Sequence, residues 1–242
     1  GFRPDQDLIL VRTEHPILER ARTVAGMSGS PIYLDGRLAG AYAYGWPFGL
    51  DPVAGVTPIR NMLHELNRPV RPGAFPGARV LPPRPAQAHR GQRPTFRRDQ
   101  VTLPPYQGGP LDIAAHLRTY AQHLRPPERG AEAHRLVPAA TPLMLAGFGP
   151  HARAYLAESL EPLGMVPLQG GGSGDDPATD PSRFVDGGAI GVQLIRGDIS
   201  ATAVGTVTHV GGRRLVAFGH PMMNAGQSGL PTCTARVLHI LA

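Results

Sequence analysis

The sequence predicts a mainly β protein with inserted helices, an α+β fold class. Near the start, two alternating apolar runs flank Asp35-Gly36, and in the last third three apolar runs are separated by glycine-containing turns. Between these regions, residues 57–66 and 112–124 carry apolar side chains at helical spacing. With 242 residues, the chain can bury a core in one large domain or two small ones.

Composition excludes several classes of function. No apolar run approaches 18 residues, so no membrane-spanning helix is expected. The formal net charge is +6, but all 24 basic residues are arginine, a bias that codon composition explains better than phosphate binding. Because no nucleic-acid-binding motif accompanies the arginines, we expect no nucleic-acid partner. The single Cys233 excludes an internal disulfide and a cysteine-built metal site.

The N-terminal segment, residues 1–67, is predicted to be a β segment with a closing helix. Residues 6–12 are typical of a buried strand, and a connection follows them. The helix is predicted over residues 57–66, with Thr57 as its N-cap and Pro58 as its first helical residue. Its apolar face indicates packing against the core.

The most informative stretch is Gly-Met-Ser-Gly-Ser-Pro at residues 26–31, here called the serine loop. Its glycines permit positive φ angles and a close approach to a ligand, and the Asp35-Gly36 pair beyond it is typical of a two-residue hairpin turn. Such a loop can present the Ser28 hydroxyl beside exposed backbone N–H groups, as an acyl-transfer nucleophile with an oxyanion hole requires. A plain glycine–serine turn is the alternative. Ser30 is the second candidate nucleophile, although a hydrogen-bonding role in the loop suits it better.

These residues also carry a family resemblance. The serine loop resembles the Gly-Asp-Ser-Gly-Gly-Pro loop of trypsin-like proteases, and with the Ile-Tyr-Leu-Asp-Gly-Arg-Leu-Ala-Gly-Ala that follows it resembles the SpoIVB-type serine peptidase family of bacteria. The resemblance implies that Ser28 is the nucleophile and that the Gly26 and Ser28 N–H groups bind the oxyanion. It also implies a trypsin-like β-barrel or half-barrel fold and a location outside the cytoplasm, in the bacterial cell envelope.

The aromatic stretch after the hairpin contains Tyr44, Gly45 and Trp46. In the family that this chain resembles, the corresponding stretch lines the substrate cleft, so the resemblance makes these three residues candidates for that cleft. Core packing explains their apolar character equally well.

The middle of the chain divides by composition into three segments. Residues 68–100 are rich in arginine and proline, which predicts a disordered or extended linker. Contact of this linker with a membrane surface is conceivable, but simple spacing explains its composition better. Residues 101–168 are predicted to be a helical insert, with helices over residues 112–124 and 150–160, and residues 169–188 a Gly/Asp-rich loop.

Two sets of side chains in this middle region could suggest a metal site. His116 and His123 share roughly one face of a predicted helix, yet no carboxylate or cysteine completes a ligand set. Asp175, Asp176 and Asp180 lack the spacing of a complete calcium loop. We therefore predict no metal and no cofactor.

The last segment, residues 189–242, is predicted to be β. Strands are expected over residues 191–196, 203–210 and 213–218, with Gly211-Gly212 as the hairpin turn between the last two. The chain ends inside an apolar run, so we interpret this segment as truncated and the chain as a fragment of a longer protein.

The final predicted strand leads into Gly219-His220-Pro221. Gly205-Thr206-Val207-Thr208 and Ala217-Phe218-Gly219-His220 resemble the Gly-Thr-Leu-Thr strand and the Ala-Leu-Gly-His motif of SpoIVB-type peptidases. The resemblance implies that His220 is the catalytic histidine, and a neutral imidazole is a suitable base for serine at neutral pH. A structural histidine whose ring is satisfied by the backbone is the alternative.

The sequence departs from the family's pattern in two ways. The resemblance covers residues 6–66 and 189–225, but the serine motif comes first here, whereas the family's histidine motif precedes its serine motif; triads do recur in different chain orders. No aspartate stands at the place of the family's third catalytic residue. Glu14 could orient the imidazole instead, as could Asp7 or a residue outside this chain.

The motifs therefore predict a serine endopeptidase acting on proteins or peptides, and they leave its oligomeric state open. An α/β-hydrolase is excluded because position 30 is serine and a hairpin, not a helix, follows Ser28. The alternative function is a catalytically degenerate protease-like β domain that serves as a binding or scaffold module in the cell envelope. The missing aspartate favours that alternative.

Overall fold

The computed structural model describes residues 7–21, 23–46, 51–69, 136–170, 183–223, 228–238 and 240. Most of the predicted Arg/Pro linker, the predicted helix over residues 112–124 and most of the Gly/Asp-rich loop lie outside the described residues, as do the histidine and aspartate sets considered above. In the part that is described, no helix is long and apolar enough to cross a membrane.

The described chain is mainly β, as predicted, and forms two sheets with few helices. The first sheet has five strands in the order β1-β4-β3-β2, with β5 paired to β3, and all its pairs are antiparallel. Its strands are β1 Ile9–Arg12, β2 Pro31–Leu34, β3 Arg37–Gly45, β4 Val53–Pro58 and β5 Val137–Pro138. Two helices accompany it: α1 Pro16–Ala21 and α2 Ile59–Leu66.

The second sheet has six strands in the order β11-β8-β9-β6-β7, with β10 paired to β9. Its strands are β6 Thr141–Ala146, β7 Met165–Gln169, β8 Ala189–Ile195, β9 Ser200–Gly211, β10 Arg214–Ala217 and β11 Thr232–Ala235. Strands β6 and β7 are parallel, and helix α3 Pro150–Leu160 with the short 3₁₀ turn Glu161–Leu163 connects them. Residues 136–168 of the predicted helical insert therefore contain strands of this sheet as well as the predicted helix.

The predicted hairpin after the serine loop is confirmed. Asp35 and Gly36 both have positive φ, at 48° and 73°, and join β2 to β3. Positive φ at both central residues is the geometry that lets a two-residue turn match the strand twist. Register shifts at Ile32/Tyr33 and Tyr42/Tyr44 interrupt the ladders of β3. Such bulges bend strands, and the described β structure includes a sheet that is curled into a half-barrel.

Three apolar clusters hold the described strands together, and two of them concern the second sheet. The larger one lies on the second sheet, around residues such as Leu143, Ile190 and Val207. A smaller one joins Ala41 of β3, Met62 of α2 and Val216 of β10. Since β3 and β10 belong to different sheets, this smaller cluster fixes one sheet against the other.

Three predictions about local structure are wrong. The predicted helix start is wrong: Thr57 and Pro58 both lie in β4, and α2 begins at Ile59. The Thr57 hydroxyl donates a hydrogen bond to the Gly219 carbonyl (2.6 Å) instead of capping α2. The second hairpin turns at Gly212 and the residue after it, one position later than predicted, because Gly211 still pairs in the ladder. Strand β1 is not buried, since it is an edge strand whose Leu10 is 59% exposed.

Candidate active site

The serine loop connects α1 to β2 and needs its glycines. Gly26 and Gly29 have φ of 90° and 97°, a region that residues with a Cβ seldom adopt. A Cβ at Gly29 would also overlap the Thr206 carbonyl oxygen and come within 2.5 Å of the Phe218 nitrogen. The loop therefore touches β9 and the end of β10, strands that lie far along the chain.

Strand β9 donates hydrogen bonds to the carbonyl groups of the serine loop and so holds the loop in place. The Thr206 N–H donates to the Ser28 carbonyl (3.0 Å), and the Thr206 hydroxyl donates to the Gly26 carbonyl (3.0 Å). The Thr208 hydroxyl donates to the Gly29 carbonyl (2.7 Å). Residues two apart in a strand share one face, so the two threonines of the Gly-Thr-Val-Thr motif form a clamp for the loop.

The histidine motif also has an unusual backbone. Phe218 and Gly219, directly after β10, have φ of 66° and 67°. Such a conformation is rare for a phenylalanine and marks backbone strain that the surrounding structure must compensate. The Thr57 hydrogen bond to the Gly219 carbonyl supplies part of that compensation.

The two loops meet at the carbonyl of Tyr42 in β3. The Gly29 N–H donates to this oxygen (2.7 Å), and a Cβ at Gly219 would lie 3.1 Å from the same oxygen. The residue after Ser28 and the residue before His220 thus approach one atom. The fold brings the predicted nucleophile loop and the predicted base loop together from opposite ends of the chain.

Two polar atoms at this meeting point have no hydrogen-bond partner. Ser28 is fully buried, with 0% exposure. Among the described residues, three buried side-chain polar atoms lack a partner: Ser28 Oγ, His220 Nε2 and Arg153 Nε, the last on α3. Ser28 Oγ and His220 Nε2 are therefore not hydrogen-bonded to each other in this conformation. Because buried polar groups are nearly always paired, each such atom requires an explanation.

The environment of His220 keeps its imidazole neutral. Burial lowers the pKa of His220 below its ordinary value of 6.5, while hydrogen bonding to the backbone of Pro221 and Ala139 opposes this. Nδ1 lies 3.1 Å from the Pro221 carbonyl oxygen. An Nδ1–H donating to that carbonyl leaves a lone pair on Nε2, the atom that a general base uses.

The predicted orienting residue is not at the histidine. Glu14 lies exposed in the loop after β1, and within the described chain no hydrogen bond or ion pair joins it to His220. Asp7, the alternative, borders a small cleft together with Tyr44, Gly219 and Pro221, and its carboxylate is paired with Arg60. The observed hydrogen-bond partner of Nδ1 is thus a backbone carbonyl, not a carboxylate.

The two predicted oxyanion donors differ in whether their N–H groups are already hydrogen-bonded. The Gly26 N–H donates to the Ala140 carbonyl (2.9 Å), so it is already engaged. The Ser28 N–H takes part in no hydrogen bond within the described part of the chain. An incoming oxyanion would have to replace the Ala140 carbonyl to use both donors.

The three candidates for the substrate cleft lie in three different surroundings. Tyr44 is buried, and its ring centroid lies 6.2 Å from that of His220. Gly45 is buried where a Cβ would overlap the Thr23 hydroxyl, which explains the glycine by packing. Trp46 borders a different small cleft with Thr13 and Asp51. Tyr44 is the one of the three that the structure brings to His220.

Sequence reasoning missed Thr57, Thr206, Thr208 and Ala140 as parts of the site. The threonines were expected to serve a helix cap or a strand, and nothing local to Ala140 signals a role, because its partner Gly26 is far away in sequence. In the described part of the chain, no group of three histidine, cysteine, aspartate or glutamate side chains could hold a metal ion.

Comparison of the chain with protein-family models, with curated proteins and with solved structures returns no match. The chemistry of the site must therefore be judged from its own atoms. These are a buried serine hydroxyl, a neutral histidine and the backbone groups between them.

Proposed function

We propose that this chain is a serine endopeptidase that resembles the SpoIVB-type family, with a trypsin-like half-barrel fold. Ser28 is the nucleophile and His220 is the general base. The observation that carries the proposal is the pair of buried atoms without hydrogen-bond partners, Ser28 Oγ and His220 Nε2, in two loops that meet at one carbonyl.

The energetic cost of these atoms favours a functional explanation. A buried polar group without a partner costs about 1–3 kcal/mol, and the positive φ of Phe218 adds strain beside it. A purely structural serine or histidine could be exchanged for an apolar residue without such a cost. Strain and unpaired polar groups concentrate at active sites, where a substrate or transition state completes the bonding.

The reaction would begin with proton transfer from the Ser28 hydroxyl to His220 Nε2 as the oxygen attacks a peptide carbonyl. The Ser28 and Gly26 N–H groups then stabilise the oxyanion, and the imidazolium gives its proton to the leaving amine. Water hydrolyses the resulting ester through the same base. Since catalytic hydrogen bonds are often long before substrate binds, the bond between Oγ and Nε2 is expected to form in the complex.

The Pro221 carbonyl takes the orienting role that an aspartate has in trypsin-like proteases. A carbonyl can fix the imidazole tautomer, but it stabilises the imidazolium less than a carboxylate does. We therefore expect a slow peptidase acting on protein or peptide substrates in the bacterial cell envelope.

The first test is covalent labelling with a fluorophosphonate probe, which reacts with activated serines. Ser28→Ala is expected to abolish labelling. Ser30→Ala is the matched control, because the Ser30 hydroxyl only donates to the Met27 carbonyl (2.7 Å), and this variant should keep its labelling. Digestion of casein by the unmodified protein and by these two variants measures the peptidase activity. Labelling that persists in Ser28→Ala would contradict the assignment.

A second candidate function is a degenerate protease-like scaffold module, and the complete burial of Ser28 favours it. In that case neither probe nor casein reacts with any form of the protein. Ser28→Ala would then leave all binding unchanged and would stabilise the fold, because it removes an unpaired buried hydroxyl.

A further inference from the structure

The short segment over residues 137–140, here called the covering segment, lies across the candidate site. Its first half is β5, which adds to the end of β3 with Val137 opposite Gly45 and Pro138 opposite Tyr44. The Ala139 N–H then donates to the Ala43 carbonyl (2.8 Å). The segment is thus held to β3 as an extended strand.

The end of the covering segment reaches both catalytic loops. The Ala140 carbonyl accepts the hydrogen bond of the Gly26 N–H, a predicted oxyanion donor (2.9 Å). On the other side, the backbone of Ala139 lies near the imidazole of His220, where it opposes the lowering of the histidine pKa. Two successive residues therefore approach the serine loop and the base at the same time, as a substrate peptide would.

The position of Ala139 is closed around a small side chain. Ala139 is 3% exposed and packs with Tyr42 and Ala54. Pro138 before it is exposed. A peptide in this place would be selected for size at the Ala139 position and not at the Pro138 position.

We propose that the covering segment occupies the substrate position. The site then binds an extended peptide in which one carbonyl accepts the hydrogen bond of the Gly26 N–H. The residue just before the one that carries this carbonyl is alanine-sized. Added strands are bound through main-chain hydrogen bonds, and side-chain pockets give them their specificity. The segment competes with substrate as an internal ligand, because its Ala140 carbonyl already engages the Gly26 N–H. This inference rests on the proposed peptidase function.

The first experiment opens the site in the full chain. Ala139→Gln places a larger polar side chain where 3% exposure leaves no room, and it should release the covering segment. Fluorophosphonate labelling of Ser28 is then expected to become faster by about tenfold or more, because a tethered strand competes at roughly millimolar effective concentration. Ala201→Gln is the matched control, since it places the same side chain at a buried alanine of the larger cluster, which contains no residue of the covering segment. Equal labelling rates in the two variants would overturn the proposal.

The second experiment needs no variant. Acetyl-Leu-Val-Pro-Ala-Ala-amide, added to the unmodified protein at millimolar concentration, should displace the segment and raise amide hydrogen exchange at residues 137–140. Acetyl-Leu-Val-Pro-Phe-Ala-amide should not, because the ring does not fit the Ala139 position. The proposal is wrong if both peptides act alike or if neither changes the exchange.

Calorimetric titration of the Ser28→Ala/Ala139→Gln double variant separates this inference from the proposed function. If the alanine peptide binds selectively but no form that carries Ser28 is labelled, the result supports the proposed substrate position and contradicts the peptidase function. Labelling of Ser28 without selective binding supports the peptidase and overturns the substrate position.

Discussion

At the scale of single residues, the site depends on what surrounds each polar atom more than on which residues are present. Burial lowers the pKa of His220, and a carbonyl faces its Nδ1. Ser28 differs from Ser30 because its hydroxyl has no partner, whereas that of Ser30 donates to Met27. The resemblance made both residues candidates, but neither the burial of Ser28 nor the carbonyl partner of His220 could be predicted from local sequence.

The direction of the His220 pKa gives a pH prediction. The base is active when neutral, and a lowered pKa keeps it neutral to more acidic pH. The rate of fluorophosphonate labelling should therefore rise with pH along a limb whose midpoint lies below 6.5, and it should be flat above that limb. A midpoint above 6.5 would mean that the imidazole is exposed or paired with a carboxylate.

We expect Thr57 to position His220, through its hydrogen bond to the Gly219 carbonyl. Thr57→Val should leave that carbonyl unpaired and cost about 1–3 kcal/mol in the free energy of unfolding. It should also slow labelling of Ser28, because the histidine motif loses its anchor. Thr57→Ser keeps the hydroxyl and should restore the labelling rate, which a role in packing alone would not do.

At the scale of elements, sequence patterns predicted what is local and missed what is paired over distance. The β2–β3 hairpin followed from Asp35-Gly36, and α2 from apolar residues at helical spacing. Strand β4 has no alternating pattern because both its faces are largely covered, so it was not expected. The diversion of Thr57 from capping to the Gly219 carbonyl depends on a contact that no local pattern contains.

The clamp between β9 and the serine loop gives a prediction at this scale. Gly29→Ala should destabilise the fold by about 2–5 kcal/mol, because left-handed strain adds to overlap with β9. Gly212→Ala is the matched control, since Gly212 also has positive φ but a Cβ there meets open space, and strain alone costs about 1–2 kcal/mol. Urea unfolding of both variants measures the difference. Equal losses would mean that the loop is not packed against β9.

At the scale of the whole molecule, the two sheets form two halves of the fold that bring the two loops of the candidate site together. The first sheet carries Ser28 at its entry, and the second carries His220 at the end of β10. The cluster of Ala41, Met62 and Val216 and the threonine clamp of β9 fix the halves together. The mainly β fold with helices was predictable from composition and periodicity. The meeting of the serine loop with the histidine motif was not predictable, because it depends on pairing between residues from the two ends of the chain.

The most direct test of this convergence is the dependence of Ser28 labelling on His220. His220→Ala should lower the rate of the fluorophosphonate reaction at Ser28 by about 100-fold or more, the usual contribution of a general base. His209→Ala, which removes an imidazole paired with Asp186 outside the candidate site, should leave the rate unchanged. Mass spectrometry of the labelled peptide identifies the modified residue. A Ser28 adduct that forms as fast in His220→Ala as in the unmodified protein would contradict the account.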